Sequence, residues 1–430
     1  MVASWPLPTP DPLRIEEDAV RIVIVAVHFD DQNKIASIRP RNFARWLAEF
    51  GHEVTVVTRS TQEVFRAEDP ARVKVVRVPS PVRSDPLRKF LGQRFWFFEP
   101  WMWMRAAVRE GLTVTEPHVI FSTFGPAETL LVGSRLARRW KGQAVWVADF
   151  RDLVVQEKHK HLGRLWRDSL QRTAVRKADA VTCVSRGLSE QLGSDVVGRE
   201  RGKIHVIPNG FNQTGASPSS QMGVESPEGL DAILRITYTG DMYAGRRDAT
   251  AIFQALSSLI DSGDIDPRKL EIHYAGRHGR DFLRQARGTE LDECIIDHGF
   301  IEREAAIELQ TRSDILLVLS WNTTVEKGIL TGKVYEYLGS GRPILALTGG
   351  DQPNAELTEL VATLEAGYAF EYVQREHQWD GLVQFLREAY LARQSGTRPE
   401  LVPNPGIESY RYDRITRQLE GILHSLASKD

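Results

Sequence analysis

ILTGKVYEYLGSGRPILAL, residues 329–347, contains a complete turn of chain architecture: a loop, a helix, a stop and a strand. Thr331 is a good N-cap, and Gly-Ser-Gly-Arg-Pro (339–343) ends the helix before the apolar run Pro343–Leu347. A helix feeding directly into a short, continuously apolar strand is the unit of a parallel sheet covered by helices on both faces.

The same alternation extends outward in both directions. ILRITYTG (233–240), LEIHYAG (270–276), CIIDHGF (294–300) and DILLVLS (314–320) read as strands, with helices such as 249–260 and 302–312 between them. Toward the N-terminus the pattern breaks at 211–230, FNQTGASPSSQMGVESPEGL, where Gly, Ser, Pro and Asn replace periodicity. This is the linker candidate. Before it, RIVIVAV (21–27), EVTVVT (53–58), VKVVRV (73–78), HVIFST (118–123), AVWVAD (144–149), AVTCVS (180–185) and KIHVIP (203–208) again read as strands. Helices at 39–51 and 126–140 alternate with them. The chain is therefore expected to be α/β, with two doubly wound Rossmann-like domains at 20–210 and 231–395 facing a central cleft. Residues 1–19 are expected to be a disordered start, being Pro-rich and acidic without the pattern of a signal peptide. The tail, 396–430, contains one amphipathic helix.

Bulk properties exclude several classes. With 430 residues, 26% charged and a net charge of −2, nothing argues for nucleic acid as a partner. Two cysteines, Cys183 and Cys294, form no metal-ligand spacing and no disulfide framework, which fits a cytoplasmic protein. No apolar run approaches the ~18 residues of a membrane span. The dinucleotide fingerprint and the Walker A pattern are both absent.

Thr331-Gly332-Lys333 sits where a helix begins, so free backbone N–H groups and a lysine converge there, an arrangement that suits phosphate. Glu336, one turn on, suits a vicinal diol such as a ribose. An ordinary capped helix with a solvated Lys and Glu explains the residues equally well. The aromatic stretch at 88–104 carries Trp96, Trp101 and Trp103 among arginines. It reads as a peripheral membrane contact, as a buried helix, or as an aromatic wall for an acceptor; the sequence leaves all three open.

Together with IPNGF (207–211), YTGDMYAGRRD (238–248), YAGR (274–277), DHGFIEREAAIELQTRSDILLVLS (297–320) and FSTFGPAETLLVGSRLARRWKGQAVWVADFRDL (121–153), the opening stretch resembles GT-B glycosyltransferases of the retaining family four type. The last block is similar to a subgroup of bacterial polysaccharide and glycoside pathways. The resemblance covers about 20–395. It implies transfer of a sugar from a nucleotide-diphosphate sugar to an acceptor hydroxyl, with retention and without a bound metal or other cofactor. The acceptor would be a glycan, a lipid-linked species or a small molecule. It implies donor binding by Arg246 or Arg247, Arg277, Thr331, Gly332, Lys333 and Glu336. For the first domain it leaves Lys34 and Arg39 as acceptor-side candidates. Asp149 or Asp152, held by Arg151, is the candidate contact to sugar or acceptor hydroxyl. One departure stands out: the family often carries a Glu eight residues before the ribose Glu, and here that position is Gly328, with Glu326 nearby. Two other readings remain: a non-catalytic protein that binds a nucleotide-linked donor, and a nucleotide-sugar 2-epimerase.

Overall fold

A computed structural model describes residues 19–31, 35–60, 68–79, 98–154, 161–194, 202–212 and 232–428. The expected disordered start, Lys34, most of the 211–230 linker and residues 88–97 of the aromatic stretch lie outside the described residues.

The first sheet is built from seven strands: β1 (Arg21–Val25), β2 (Glu53–Arg59), β3 (Val73–Val78), β4 (Val119–Thr123), β5 (Val145–Phe150), β6 (Ala180–Cys183) and β7 (Ile204–Val206). Their order is β3-β2-β1-β4-β5-β6-β7, and every pairing is parallel. The chain doubles back between β1 and β4, which opens a crevice beyond their carboxyl ends. Helices α1 (Ile35–Glu49), α2 (Phe98–Gly111), α3 (Glu128–Arg139), α4 (His161–Lys177) and α5 (Arg186–Ser194) cover the two faces.

The second sheet has six strands: β8 (Leu234–Thr239), β9 (Leu270–Ala275), β10 (Ile295–Asp297), β11 (Ile315–Trp321), β12 (Ile344–Gly349) and β13 (Gly367–Glu371). Their order is β10-β9-β8-β11-β12-β13, again all parallel, with the reversal between β8 and β11. Helices α6 (Thr250–Asp261), α7 (Gly279–Gln285), α8 (Arg303–Arg312), α9 (Gly332–Ser340), α10 (Glu356–Thr363) and α11 (Arg375–Gln394) pack on it. The two-domain α/β architecture read from the sequence is the observed one. The short β13, GYAFE, escapes that reading because Gly367 opens it and only three apolar residues follow.

After α12 (Pro405–Glu408), the last helix α13 (Tyr412–Ala427) returns to the first domain. Its Tyr412, Ile415, Leu419 and Leu423 share one apolar cluster with Phe43 and Leu47 of α1. The chain thus crosses between domains at 211 and again at 411. The two crossings pair: Phe211 N–H donates to the Tyr410 carbonyl at 3.1 Å, and Tyr412 N–H to the Phe211 carbonyl at 2.9 Å.

α1 starts four residues before the sequence places it and runs through Pro40. Proline has no N–H, so the carbonyl four residues back loses its helical partner. That carbonyl, of Ala36, accepts instead from Arg151 Nη1 at 2.8 Å.

Of the aromatic stretch, the described part is α2. Trp103 is buried in the core below it, while Trp101 is 43% exposed. Among the described residues no helix is long and apolar enough to cross a membrane.

Candidate functional site

The second domain gathers the charged residues at its switch point. α9 begins at Gly332, and its N-cap Thr331 makes no side-chain capping hydrogen bond, so the first amides of the helix stay available to a ligand. Lys333 lies against the end of β8: its Nζ donates to Thr239 Oγ1 at 3.5 Å. The Thr239 hydroxyl is fixed by Tyr337 (2.9 Å) and Gln310 (3.0 Å), so it holds the ammonium at a defined place. A Cβ on Gly240 would stand 2.9 Å from Lys333 Cε and 3.3 Å from Arg247 Nη1, which keeps this position side-chain-free. Burial, opposed by Glu336 and reinforced by Arg247 and Arg303, pulls the Lys333 ammonium below its ordinary value. A cation pressed together with two arginines is short of negative charge.

Arg247 is 5% exposed; its Nη1 donates to Tyr238 Oη at 2.7 Å and to the Asp241 carbonyl at 2.8 Å. Its Nε is buried and makes no hydrogen bond among the described residues. Arg246, its neighbour, points elsewhere, onto Glu326 and over the Trp321 ring. Of the two candidates in YAGRRD, Arg247 is therefore the one beside Lys333. Arg277 is exposed after β9, its guanidinium 4.7 Å from the Phe300 ring centre and its backbone N–H donating to Asp241 Oδ1 at 3.3 Å. Glu336 accepts a 2.6 Å bond from Arg303 Nη1, the first residue of α8. Sequence reasoning did not single out Arg303; its only signal is a basic residue opening the helix after DHGFIE.

The site faces the first domain. A Cβ on Gly332 would stand 3.5 Å from Ile35 Cγ2, so the N-termini of α1 and α9 meet across the cleft. On one flank the domains are joined: Glu356 accepts from the backbone N–H of Arg186 (2.9 Å) and Gly187 (3.0 Å) at the start of α5. The same contact explains Gly328. Its φ is +66°, and a Cβ there would lie 2.8 Å from Gly187 Cα and 2.9 Å from a Glu356 carboxylate oxygen. A carboxylate-bearing residue at 328 is excluded by this backbone-to-backbone approach.

The first-domain candidates are arranged differently from expectation, and this is a correction. Asp149 is fully buried, and its partner is Arg39, not Arg151. Arg39 Nη2 and Nε reach its two carboxylate oxygens at 2.8 and 3.1 Å, and Thr182 and Thr123 add 2.7 Å bonds. Burial alone would raise this carboxyl, but Arg39 and the two hydroxyls outweigh it and hold it below its ordinary value. All four bonds come from the protein, so Asp149 has no surface for a substrate. Arg39, placed on the acceptor side from sequence, is 1% exposed and also donates to the Ile207 and Pro208 carbonyls at 2.9 and 2.8 Å. The pair ties α1 and β5 to the chain leaving the first domain. Arg151 donates to the Phe124 carbonyl at 2.9 Å as well as to Ala36. Asp152 is exposed on the loop after β5.

Where α13 meets the first domain, His52, Glu420 and His424 form a compact group. His52 Nδ1 accepts from Val20 N–H at 3.2 Å, so its Nε2 carries the proton and donates to Glu420 at 2.9 Å. Both ring nitrogens are engaged, and the group reads as a structural clasp.

Residues 36–210 match the family model described as a glycosyl transferase 4-like domain. No protein of curated function matches the chain. Among solved structures, sucrose-phosphate synthase from Thermosynechococcus elongatus superposes with a TM-score of 0.64 at 16% identity, over 95% of this chain and 99% of that one. Anabaena HepE, solved with UDP and glucose, gives 0.60 at 16% identity, over 94% and 100%. A Listeria monocytogenes protein described as a putative UDP-N-acetylglucosamine 2-epimerase gives 0.54 at 11% identity, over 95% and 96%. These likenesses establish the GT-B fold of paired Rossmann-like domains across the whole described chain.

Proposed function

We propose that the chain is a glycosyltransferase that uses a nucleotide-diphosphate sugar, a reading supported by the match of residues 36–210 to a glycosyl transferase 4-like domain and by the GT-B fold. The observation that carries this is a half-buried Lys333 and a buried Arg247 meeting at Gly240 beside the open N-terminus of α9, an excess of positive charge at the switch point. A diphosphate supplies the missing negative charge. In the reaction the bond between the sugar's anomeric carbon and the diphosphate oxygen breaks, and the acceptor oxygen bonds to that carbon. The departing phosphate takes the acceptor's proton. Negative charge grows on the leaving diphosphate, and fixed donors already pointed at it lower the barrier. Lys333, Arg247 and the α9 amides fill that role without a resident cofactor. Glu336 receives the ribose, once Arg303 turns from it. Retention at the anomeric carbon follows from the resemblance of the motifs to the retaining family. The acceptor binds from the first domain.

Thermal-shift titration with UDP, GDP, ADP, CDP and dTDP tests the site. One base is expected to stabilise the protein, and Lys333→Ala is expected to weaken that nucleotide by about 10- to 100-fold, the worth of one charge-assisted hydrogen bond of about 1.5–3 kcal/mol. No shift with any nucleotide in folded protein overturns the donor site. The epimerase reading keeps a place because the Listeria protein has the same fold. Incubating the nucleotide sugar without acceptor separates the two: an epimerase returns an altered nucleotide sugar, and a transferase does not.

A further inference from the structure

The first sheet is covered by different helices on its two faces. α1 and α13 pack on one, and α2, α3 and α4 on the other, where Trp103 and Ala107, Leu130 and Leu136, and Ala174 and Val175 meet in one core cluster. α2 lies against α3 and α3 against α4, so their outer sides form one continuous surface. Each of these helices carries the chain back from the carboxyl end of one parallel strand to the start of another, which sets their first turns at the crevice end.

This surface is basic in a chain whose net charge is −2. α4 holds five basic residues against one acidic, and α3 with Lys141 just beyond it holds four against one. Large apolar side chains stand out among them. Trp101, in the first turn of α2, is 43% exposed, and Leu165 and Trp166, in the second turn of α4, are 69% and 47% exposed. Between α2 and α3 runs a groove of about 370 Å³, apolar at Met104 and Val108 and basic at Arg105 and Arg135. Arg105 covers the Trp101 ring at 4.9 Å, and Arg135 Nη1 donates to Met104 Sδ at 3.0 Å and to the Leu131 carbonyl at 3.3 Å. Among the described residues no carboxylate pairs with Arg105, Arg135 or Arg138. Burial and the like charge of Arg138 pull the Arg135 guanidinium below its ordinary value. The groove is short of negative charge and its rim is short of apolar cover.

We propose that the outer face of α2, α3 and α4 docks on an anionic lipid bilayer. Arginines alone would suit a nucleic acid, and exposed rings alone would suit a protein. A bilayer surface complements both at once. Its phosphates meet the guanidinium groups that no carboxylate neutralises. Its headgroup boundary takes Trp101 and Trp166, whose rings are apolar and whose N–H groups are polar, and buries Leu165. The groove changes from basic to apolar over one helix turn, as a lipid does from phosphate to chain. The contact is peripheral, since among the described residues no helix is long and apolar enough to cross a membrane.

Sedimentation of the full chain with sucrose-loaded vesicles tests this, using phosphatidylcholine alone and phosphatidylcholine with about 30% phosphatidylglycerol. The wild type is expected to bind the anionic vesicles at least about tenfold better than the neutral ones, and to lose that preference as salt rises. Two double variants divide the surface: Arg105→Gln with Arg138→Gln, and Trp101→Ser with Trp166→Ser. All four side chains are exposed, so the fold is expected to persist, which melting followed by circular dichroism checks. Each double variant is expected to lose about tenfold on the anionic vesicles. Binding kept in full by either double variant, equal binding of the wild type to both kinds of vesicle, or no binding to either, overturns the proposal. If only the arginines matter and the wild type captures double-stranded DNA, the face serves a nucleic acid instead. No nucleotide enters this assay, so its outcome is independent of the donor site.

Discussion

Asp149→Asn is the sharpest probe of how the first domain holds its end of the cleft. The substitution keeps volume and removes one charge and one acceptor. In the native chain Oδ1 accepts from Arg39 and Thr182, both within 2.8 Å, and Oδ2 from Arg39 at 3.1 Å and Thr123 at 2.7 Å. An amide nitrogen at either position faces two donors and can accept from neither. Arg39, 1% exposed, is left as a buried charge without a counter-charge, its acceptors reduced to one amide oxygen and the Ile207 and Pro208 carbonyls. Breaking a buried pair from one side costs about 3–5 kcal/mol, a fifth or more of the ~5–15 kcal/mol that stabilises a typical domain. Urea unfolding followed by circular dichroism is the assay. Arg39→Met with Asp149→Leu is expected to recover part of the loss. Recovery is incomplete because the two carbonyls lose their donors, at about 1–3 kcal/mol each. A loss below about 1 kcal/mol in Asp149→Asn refutes the reasoning, as does a double variant no more stable than the single one. The carboxyl's folded value lies below its unfolded one, so its stabilisation is complete above an unfolded value of about 3.9 and is lost as pH falls through the lower folded value.

Lys333 is depressed in the free protein, so a bound diphosphate raises its value and draws in a proton. Nucleotide affinity is expected to fall as pH rises above the free-state value, and in that alkaline range calorimetry in buffers of different ionisation enthalpy will register proton uptake; affinity that stays level from neutral pH up to the ordinary lysine range would contradict it. Gly328→Glu restores the carboxylate position seen in related motifs, but its Cβ meets Gly187 Cα at 2.8 Å from a φ of +66°. It is expected to lower stability by about 2 kcal/mol or more and to part the domains at this contact, seen as a larger radius in small-angle scattering. Arg303→Ala frees Glu336 from its 2.6 Å ion pair and is expected to tighten nucleoside diphosphate binding in a calorimetric titration; weaker binding would mean that Arg303 itself grips the ligand.

Periodicity in the sequence was enough to fix both doubly wound domains, because a buried parallel strand must be continuously apolar and the helix beside it amphipathic. It was also enough to put Lys333 at a helix start, since Thr331-Gly332 before and Gly341 after are local signals. Local signals do not report what a charged side chain meets. Asp149, Arg151 and Asp152 look alike in the sequence as a strand-end cluster. Only the tertiary structure decides that Asp149 turns inward to Arg39, 110 residues away, that Arg151 serves a carbonyl stranded by Pro40, and that Asp152 faces solvent. It alone separates Arg247 from Arg246, brings Arg303 onto Glu336, and shows Gly328 pressed against Gly187 of the other domain. Strands and helices follow from neighbours a few residues apart, whereas charge partners and close backbone approaches are set by how whole elements cross, which no short window of sequence records.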